Sequence, residues 1–277
     1  MAQATSQLAV PRVAVLPVNF HVAVRWLSVI VFLGLWQAIA LVNGRVQYFN
    51  PVFLPGPSDV IGATLDLNAQ GILFTSLWTS GVRLLSGFIL GAIFAVLLGF
   101  AMARYPLIDS IVDPILTMVG PIPPFAFLPM LIIWMGISWP SKVALVAYAC
   151  FLPILAYTVD GVKHVDPLLI RSALSLGASD AQLFRLVVLP AALPSIFVGL
   201  RVSLALGFSA LVVAEMVGAS SGLGYLIMDA RTFFKVGQMF SAAALIGAEY
   251  SLFAFILGRI EHRLFRWRQK GLSQAVA

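Results

Sequence analysis

The sequence predicts an all-α membrane protein with six transmembrane helices, and three observations carry that expectation. Of its 277 residues, 61% are hydrophobic and only 10% charged, with a mean hydropathy of +1.00, far from the roughly 25% charged residues of a soluble domain. The apolar residues fall into runs near the roughly 20 that a helix needs to cross a bilayer. Between the fourth and fifth runs stands a polar island with capping signals of its own.

Composition also excludes several chemistries. The single cysteine, Cys150, lies in an apolar run, so no disulfide framework or thiolate metal site is available. His21, His164 and His262 are scattered. No Gly-Lys dipeptide occurs, so the chain has no P-loop and is not a self-contained ATP-driven machine of that kind. The net charge of +6 does not point to nucleic acid, because the basic residues bunch at Arg259, Arg263, Arg266, Arg268 and Lys270, just past the last oily run. That is the pattern of a cytoplasmic tail. The Ser/Gln/Ala-rich start carries only Arg12 and Arg25 and has no basic region running into an apolar core with a cleavage site. Residues 1–25 are therefore expected to form a cytoplasmic leader, 26–258 the six-span domain and 259–277 a basic cytoplasmic tail.

The first span is expected at Trp26–Val42, with Trp26 and Trp36 as interface or packing aromatics. Asn43–Trp78 mixes polar and apolar residues with Pro51, Pro55 and Pro57, and reads as an outside loop bearing a short interfacial helix from Val60 to Leu67. The second span, Leu84–Ala103, aligns Gly87, Gly91, Ala95 and Gly99 at four-residue spacing, a stripe that lets two helix backbones approach closely.

The third run, Leu107–Ile137, is interrupted by Gly120-Pro121-Ile122-Pro123-Pro124, with Pro129 following. Successive prolines stop a helix, since each lacks an N–H and clashes with the preceding turn. Each half holds about 13 residues, too few to span alone, so one broken span is expected. Irregular backbone at membrane depth is tolerated only where it is buried in protein or lines a cavity. Pro121, Pro123, Pro124, Phe125 and Phe127 are thus candidates for the wall of a translocation path, a packing kink being the other reading.

The fourth span is expected at Val143–Val159 around Pro153, the fifth at Ile196–Ala214 and the sixth at Met239–Gly258, with a Gly-rich loop, Met216–Gln238, between the last two. The polar island is Val165–Pro190. Asp166 can cap a helix with Pro167 in its first turn, and Gly177 stands where a left-handed residue closes it. The result is a helix of about ten residues, roughly 15 Å long. Ser179 with Gln182 then reads as a capping box that starts a second helix. The first helix is too short to cross a bilayer, so it lies at a surface or docks into a partner.

Six spans leave both termini on one side. Eleven of the seventeen Lys and Arg residues fall on that side: Arg12, Arg25, Arg104, Lys163, Arg171, Arg185 and the five of the tail. Five fall on the other, Arg45, Arg83, Lys142, Arg231 and Lys235, and Arg201 lies within the fifth span. The excess assigns the termini and the island to the cytoplasm. No internal repeat is evident.

Three ionisable residues lie within or beside the spans, each at a cost of about 2.5–3.5 kcal/mol on insertion scales. Arg201 is close enough to a cytoplasmic end to snorkel. Glu215 is expected at the outer mouth, either bonded to the Gly-rich loop or in contact with cargo. Glu249 falls near the middle of the sixth span, either lining the path or packed in a protonated form. No catalytic signature accompanies them: HExxH, G-x-S-x-G and ligand clusters are all missing from the sequence. A transporter or channel component remains.

Arg171-Ser172-Ala173-Leu174-Ser175-Leu176-Gly177, followed after nine residues by Val187-Val188-Leu189-Pro190, resembles the cytoplasmic EAA-type motif of ATP-binding cassette importer permeases. The Pro-rich PIPPFAFLPMLIIWMGIS, the run PAALPSIFVGLRVSLALGFSALVVAEM and the loop GLGYLIMDAR resemble the nitrate/sulfonate/taurine/bicarbonate branch, over nearly the whole chain from Trp26.

The resemblance implies a type I importer permease of six spans, with a cytoplasmic coupling helix between spans four and five. It further implies a second permease copy, two cytoplasmic ATPase subunits that bind ATP and Mg, a periplasmic or extracellular binding protein, and a bacterial inner-membrane location. No cofactor is expected in this chain. The residues expected to couple to the ATPase are Asp166, Arg171, Ser172, Ala173, Gly177, Ala178 and Ser179. Arg171 stands where the motif usually has Glu, and Ser172 where it usually has Ala, so the usual contact of that Glu is replaced here, with an acidic ATPase residue as the matching expectation. The branch implies a small anion of sulfonate, taurine, nitrate or bicarbonate type as cargo. An organic carboxylate or heterocyclic precursor is the alternative, and a proton-coupled secondary transporter using Glu249 is the competing class.

Overall fold

The computed structural model describes residues 18–265, and every regular element among them is a helix. The remainder of the expected leader and tail, with Arg12, Arg266, Arg268 and Lys270, lies outside the described residues, as does the Arg25 side chain. Among the described residues five helices are long and apolar enough to cross a membrane, and a sixth crossing follows if one pair of helices bent by 89° counts as a single span. The chain divides into two compact units, Met1–Asp59 and Val60–Ala277.

In the first unit, α1 (Val18–Val46) exposes Leu27, Ile30, Phe32, Leu35, Ile39 and Leu41. A helix apolar on all sides is suited to lipid. Beyond it, the Asn43 side chain accepts from the Phe49 N–H (3.0 Å) and donates to the Phe49 carbonyl (3.1 Å). Trp36 Nε1 donates to the Pro55 carbonyl (3.0 Å), which makes this tryptophan a packing residue.

The second unit is built on α6 (Trp139–Lys163), which packs along both α3 (Ile72–Arg104) and α9 (Leu189–Met216). Leu84, Ala95, Val146, Cys150, Ile154, Leu204 and Leu211 fill the seam between them. The glycine stripe sets the spacing. A Cβ at Gly87 would fall 2.6 Å from the Val146 side chain, and one at Gly91 would fall 2.5 Å from the Ala147 carbonyl. In a bilayer such close backbone approach supplies the dispersion contact that lipid cannot.

Several boundaries differ from the sequence expectation. Helix α3 starts at Ile72, not Leu84, and within its polar first turns the Thr75 and Thr79 hydroxyls find their acceptors in the carbonyls four residues back. Arg83, expected in an outside loop, therefore lies inside α3. Lys142 likewise falls in the first turn of α6. Ahead of α3, α2 (Pro57–Ala69) includes the short helix expected at Val60–Leu67.

The fifth span begins at Asp180, not Ile196. A short α8 (Asp180–Leu183) runs through a π turn (Phe184–Val188) into α9. Pro190 and Pro194 each remove an N–H from the helical ladder, and a π turn is a common way to absorb such a defect. The Gly-rich loop contains its own helix, α10 (Leu223–Thr232). Finally, α11 (Val236–Leu264) extends past Gly258, so the expected tail starts as helix: Arg259 stacks 4.6 Å over the Phe255 ring, and Arg201 of α9 pairs with Glu261 at 2.5 Å.

The third run is broken as expected. Helix α4 (Pro106–Val119) and the segment Pro124–Met135, a 3-10 turn at Pro124–Phe127 leading into α5 (Leu128–Met135), meet at 89°. Leu128 anchors the corner against Leu145, Ala149, Ala210 and Ala214, and Phe127 stacks edge-on against Tyr148 at 4.8 Å.

Candidate functional site

The island between α6 and α8 is a doubly capped unit. In α7 (Pro167–Ser175), Asp166 Oδ1 accepts from the Leu168 N–H at 2.8 Å, a cap worth about 0.5–2 kcal/mol. At the other end, Gly177 takes φ +79, Gly177 N–H donates to the Leu174 carbonyl (2.9 Å) and Ala178 N–H to the Ala173 carbonyl (3.1 Å). This is the paired closure that a left-handed residue permits. Ser179 then forms a reciprocal capping box with Gln182. Arg104 reaches Asp180 at 3.2 Å, an exposed pair, which contributes little stability.

The outer surface of α7 is apolar with one charge. Leu168, Leu169, Leu174 and Leu176 are exposed, Leu176 at 88%. Arg171 and Ser172 are also exposed, Ala173 and Ala178 are half-buried, and Arg171 makes no ion pair among the described residues.

At the opposite end of the spans lies a buried ionic cluster that sequence reasoning only touched. Glu215 in the last turn of α9 is 1% exposed. Its carboxylate accepts from Arg83 Nη1 (2.7 Å), Ser80 Oγ (2.8 and 3.0 Å) and the Gly224 N–H (3.0 Å). Arg83 also donates to the Ser221 carbonyl (2.7 Å) and hydroxyl (3.2 Å). The turn between α9 and α10 is thereby fastened to α3. Gly222, at φ +115, is needed there because a Cβ would collide with the Glu215 carboxyl. Of the two readings of Glu215, the bond to the Gly-rich loop is present, and the carboxylate has no open face in this chain. Ser76, Ser80, Arg83 and Gly87, at spacings of three and four, are the sequence signal that could have revealed this polar helix face.

Glu249 of α11 is 8% exposed, and its Oε2 has no hydrogen-bond partner among the described residues. It abuts α3 at Gly81, where an added Cβ would fall 2.8 Å from Oε1. In the broken segment, Pro121, Pro123 and Phe125 are exposed, whereas Pro124 and Phe127 are partly buried. Phe127 packs against Tyr148 of α6, whereas Glu215 is held by Ser80 and Arg83 of α3 and Glu249 meets the same helix at Gly81.

Residues 61–269 match the family model described as "Binding-protein-dependent transport system inner membrane component". The chain belongs to that family. The permease is 35% identical over 256 residues to the taurine transport system permease protein TauC of Escherichia coli strain K12, covering 91% of this chain and 92% of the relative. It is 34% identical over 238 residues to a putative aliphatic sulfonates transport permease protein, SsuC, of Bacillus subtilis strain 168, covering 86% and 85%. Among solved structures, an inward-facing form of the MetNI methionine ABC transporter aligns at TM-score 0.60 with 17% identity, covering 71% of this chain and 98% of that one. An amino acid ABC transporter solved with histidines aligns at 0.56 with 14% identity, covering 74% and 96%. The permease is thus a multi-pass inner-membrane subunit with a type I importer fold and not an enzyme. ATP hydrolysis in such systems resides in a separate subunit, and cargo comes from a binding protein.

Proposed function

We propose that the permease forms the translocation path of an ATP-driven importer for a small anion of the sulfonate type, with taurine, nitrate and bicarbonate in the same chemical range. The observation that carries the driving mechanism is α7. It is capped at both ends, too short to span and apolar on an exposed surface, as a helix seated in another protein's groove must be. It is the coupling helix, docked on a cytoplasmic ATPase through Arg171, Ser172 and the exposed leucines. The caps Asp166, Gly177, Ala178 and Ser179 keep it rigid, so nucleotide-driven closure can move it as a body and rock the spans. ATP and Mg belong to the ATPase partner and no cofactor to this chain.

The termini are cytoplasmic. Burial of Arg83 and Lys142 leaves only Arg45, Arg231 and Lys235 as outside loop charges, against eleven inside, which supports the orientation. The exposed apolar sides face lipid and a second permease copy, and the chain has no nucleic-acid partner. Pro121–Phe127 and Glu249 are the candidate path elements, while Glu215 fastens the outer end.

The test is uptake into proteoliposomes holding the permease, its ATPase and its binding protein. Sulfonate uptake should require ATP hydrolysis, and Glu249→Gln should change the uptake rate more than it changes assembly. Uptake that survives a hydrolysis-dead ATPase and collapses with the proton gradient would establish the proton-coupled class instead.

A further inference from the structure

We infer that the turn from Arg231 to Lys235, between α10 and α11, is a docking point for the transporter's external binding protein, whose matching surface carries an apolar pocket edged by acidic residues. The inference rests on the outward orientation proposed above and not on the identity of the cargo. All five residues of the turn are exposed, Phe233 at 63% and Phe234 at 68%. Phe234 also takes φ +53. Glycine or asparagine closes a helix readily in this left-handed conformation, whereas a bulky residue adopts it only at a cost. The closing bonds do not need the ring: Phe234 N–H donates to the Arg231 carbonyl (3.1 Å) and Lys235 N–H to the Ala230 carbonyl (2.8 Å). Strain and exposure at one aromatic residue together point to a surface that covers it on assembly.

The chemistry of the turn describes that surface. Lys235 Nζ lies 5.7 Å over the Phe233 ring, a contact that presents charge and ring as one unit. Neither Lys235 nor Arg231 has an ion pair among the described residues. Asp229, the nearest acid in sequence, is partly buried and stands about 200° around α10 from Arg231 at roughly 100° per residue. Aromatic anchors beside unpaired cations are what protein interfaces concentrate, and they call for an acidic partner. Lipid fits less well. Membrane-interface belts draw on Trp and Tyr, whose polar ends reach water, and fluid acyl chains cover an apolar side chain without a left-handed backbone to place it. The same combination recurs in the first unit. Gln47, the other non-glycine residue with positive φ among those described (+52), leads into the exposed Tyr48 and Phe49, with Arg45 two residues before it. Arg45, Arg231 and Lys235 are the three outside loop cations, and each lies beside one of these two turns.

The test measures docking of the transporter's own binding protein, loaded with its cargo, onto the permease–ATPase complex in nanodiscs by surface plasmon resonance. Phe234→Gly and Phe234→Asn suit the left-handed backbone, so both should unfold at the wild-type temperature or above it, yet dock at least about tenfold more weakly. Phe234→Tyr keeps the ring and should dock within about threefold of wild type. Arg231→Glu combined with Lys235→Glu should slow association and remove most of its salt dependence. Equal affinity in wild type, Phe234→Gly and Phe234→Asn overturns the docking point. A bimane dye on Phe234→Cys should be quenched by aqueous iodide and shielded by the binding protein; quenching by brominated lipid instead, unchanged by the binding protein, makes the turn a membrane anchor and also overturns it. Labelling of that thiol by an impermeant maleimide only in inside-out vesicles refutes the orientation, and the docking point with it, whereas labelling from outside with unaltered docking refutes the docking point alone.

Discussion

Gly177→Val is expected to reduce uptake by the reconstituted transporter at least tenfold and to release the ATPase, while the membrane spans still fold. The reason is backbone conformation alone. Gly177 closes α7 at φ +79, and nothing lies within 4 Å of the position a Cβ would take, so no clash competes as an explanation. A left-handed conformation costs an ordinary residue roughly 1–2 kcal/mol, and more for a β-branched one. About 1.4 kcal/mol already corresponds to tenfold in an equilibrium. The valine variant lowers that cost by unwinding the last turn, which loses the bonds from Gly177 and Ala178 and disperses Leu174 and Leu176. Gly177→Asn tolerates the same conformation and should stay within about threefold of wild type. Copurification of the ATPase with each variant is the readout, and equal retention by valine and asparagine would remove the rigid-cap argument.

Arg83→Met should have the largest effect on folding of any single change in the chain. It leaves the Glu215 carboxylate buried without its cation, and breaking a buried pair from one side costs about 3–5 kcal/mol, a large fraction of typical stability. The variant also frees Ser221, so the turn between α9 and α10 loses its fastening. Detergent-extracted Arg83→Met should elute largely as aggregate in size-exclusion chromatography. Arg83→Met combined with Glu215→Gln should recover part of the monodisperse protein, because the amide still accepts from Ser80 without carrying an uncompensated charge. A double variant no better than the single would mean that Arg83 acts by shape and not by pairing.

The contrast between these two sites shows what the chain makes legible from residues alone. The α7 unit is written locally: Asp166, Pro167, Gly177, Ser179 and Gln182 act within five residues of their partners, so spacing suffices to read it. The break at Gly120–Pro124 is equally local. The ionic cluster is not, since Arg83 and Glu215 are 132 positions apart, and Arg83 looked like a loop charge while the hydroxyls of Thr75 and Thr79 concealed a continuing helix. Helix α10 was hidden for a related reason. Gly218 and Gly222 mark real turns, but the ten residues after Gly222 return to helix. Most span boundaries shifted outward because a helix continues past the end of its hydrophobic run, whereas the third run ends at Met135 and not at Ile137.

The central claim, that α7 is the docking point of a cytoplasmic ATPase, is tested most directly by thiol protection. The only native cysteine, Cys150, is buried, so Leu174→Cys places a single accessible thiol on the exposed surface of α7. In inside-out vesicles holding the permease alone, a membrane-impermeant maleimide should label it rapidly, and adding the ATPase should slow labelling at least tenfold. Labelling at the same rate with and without the ATPase, or only in right-side-out vesicles, would contradict the account.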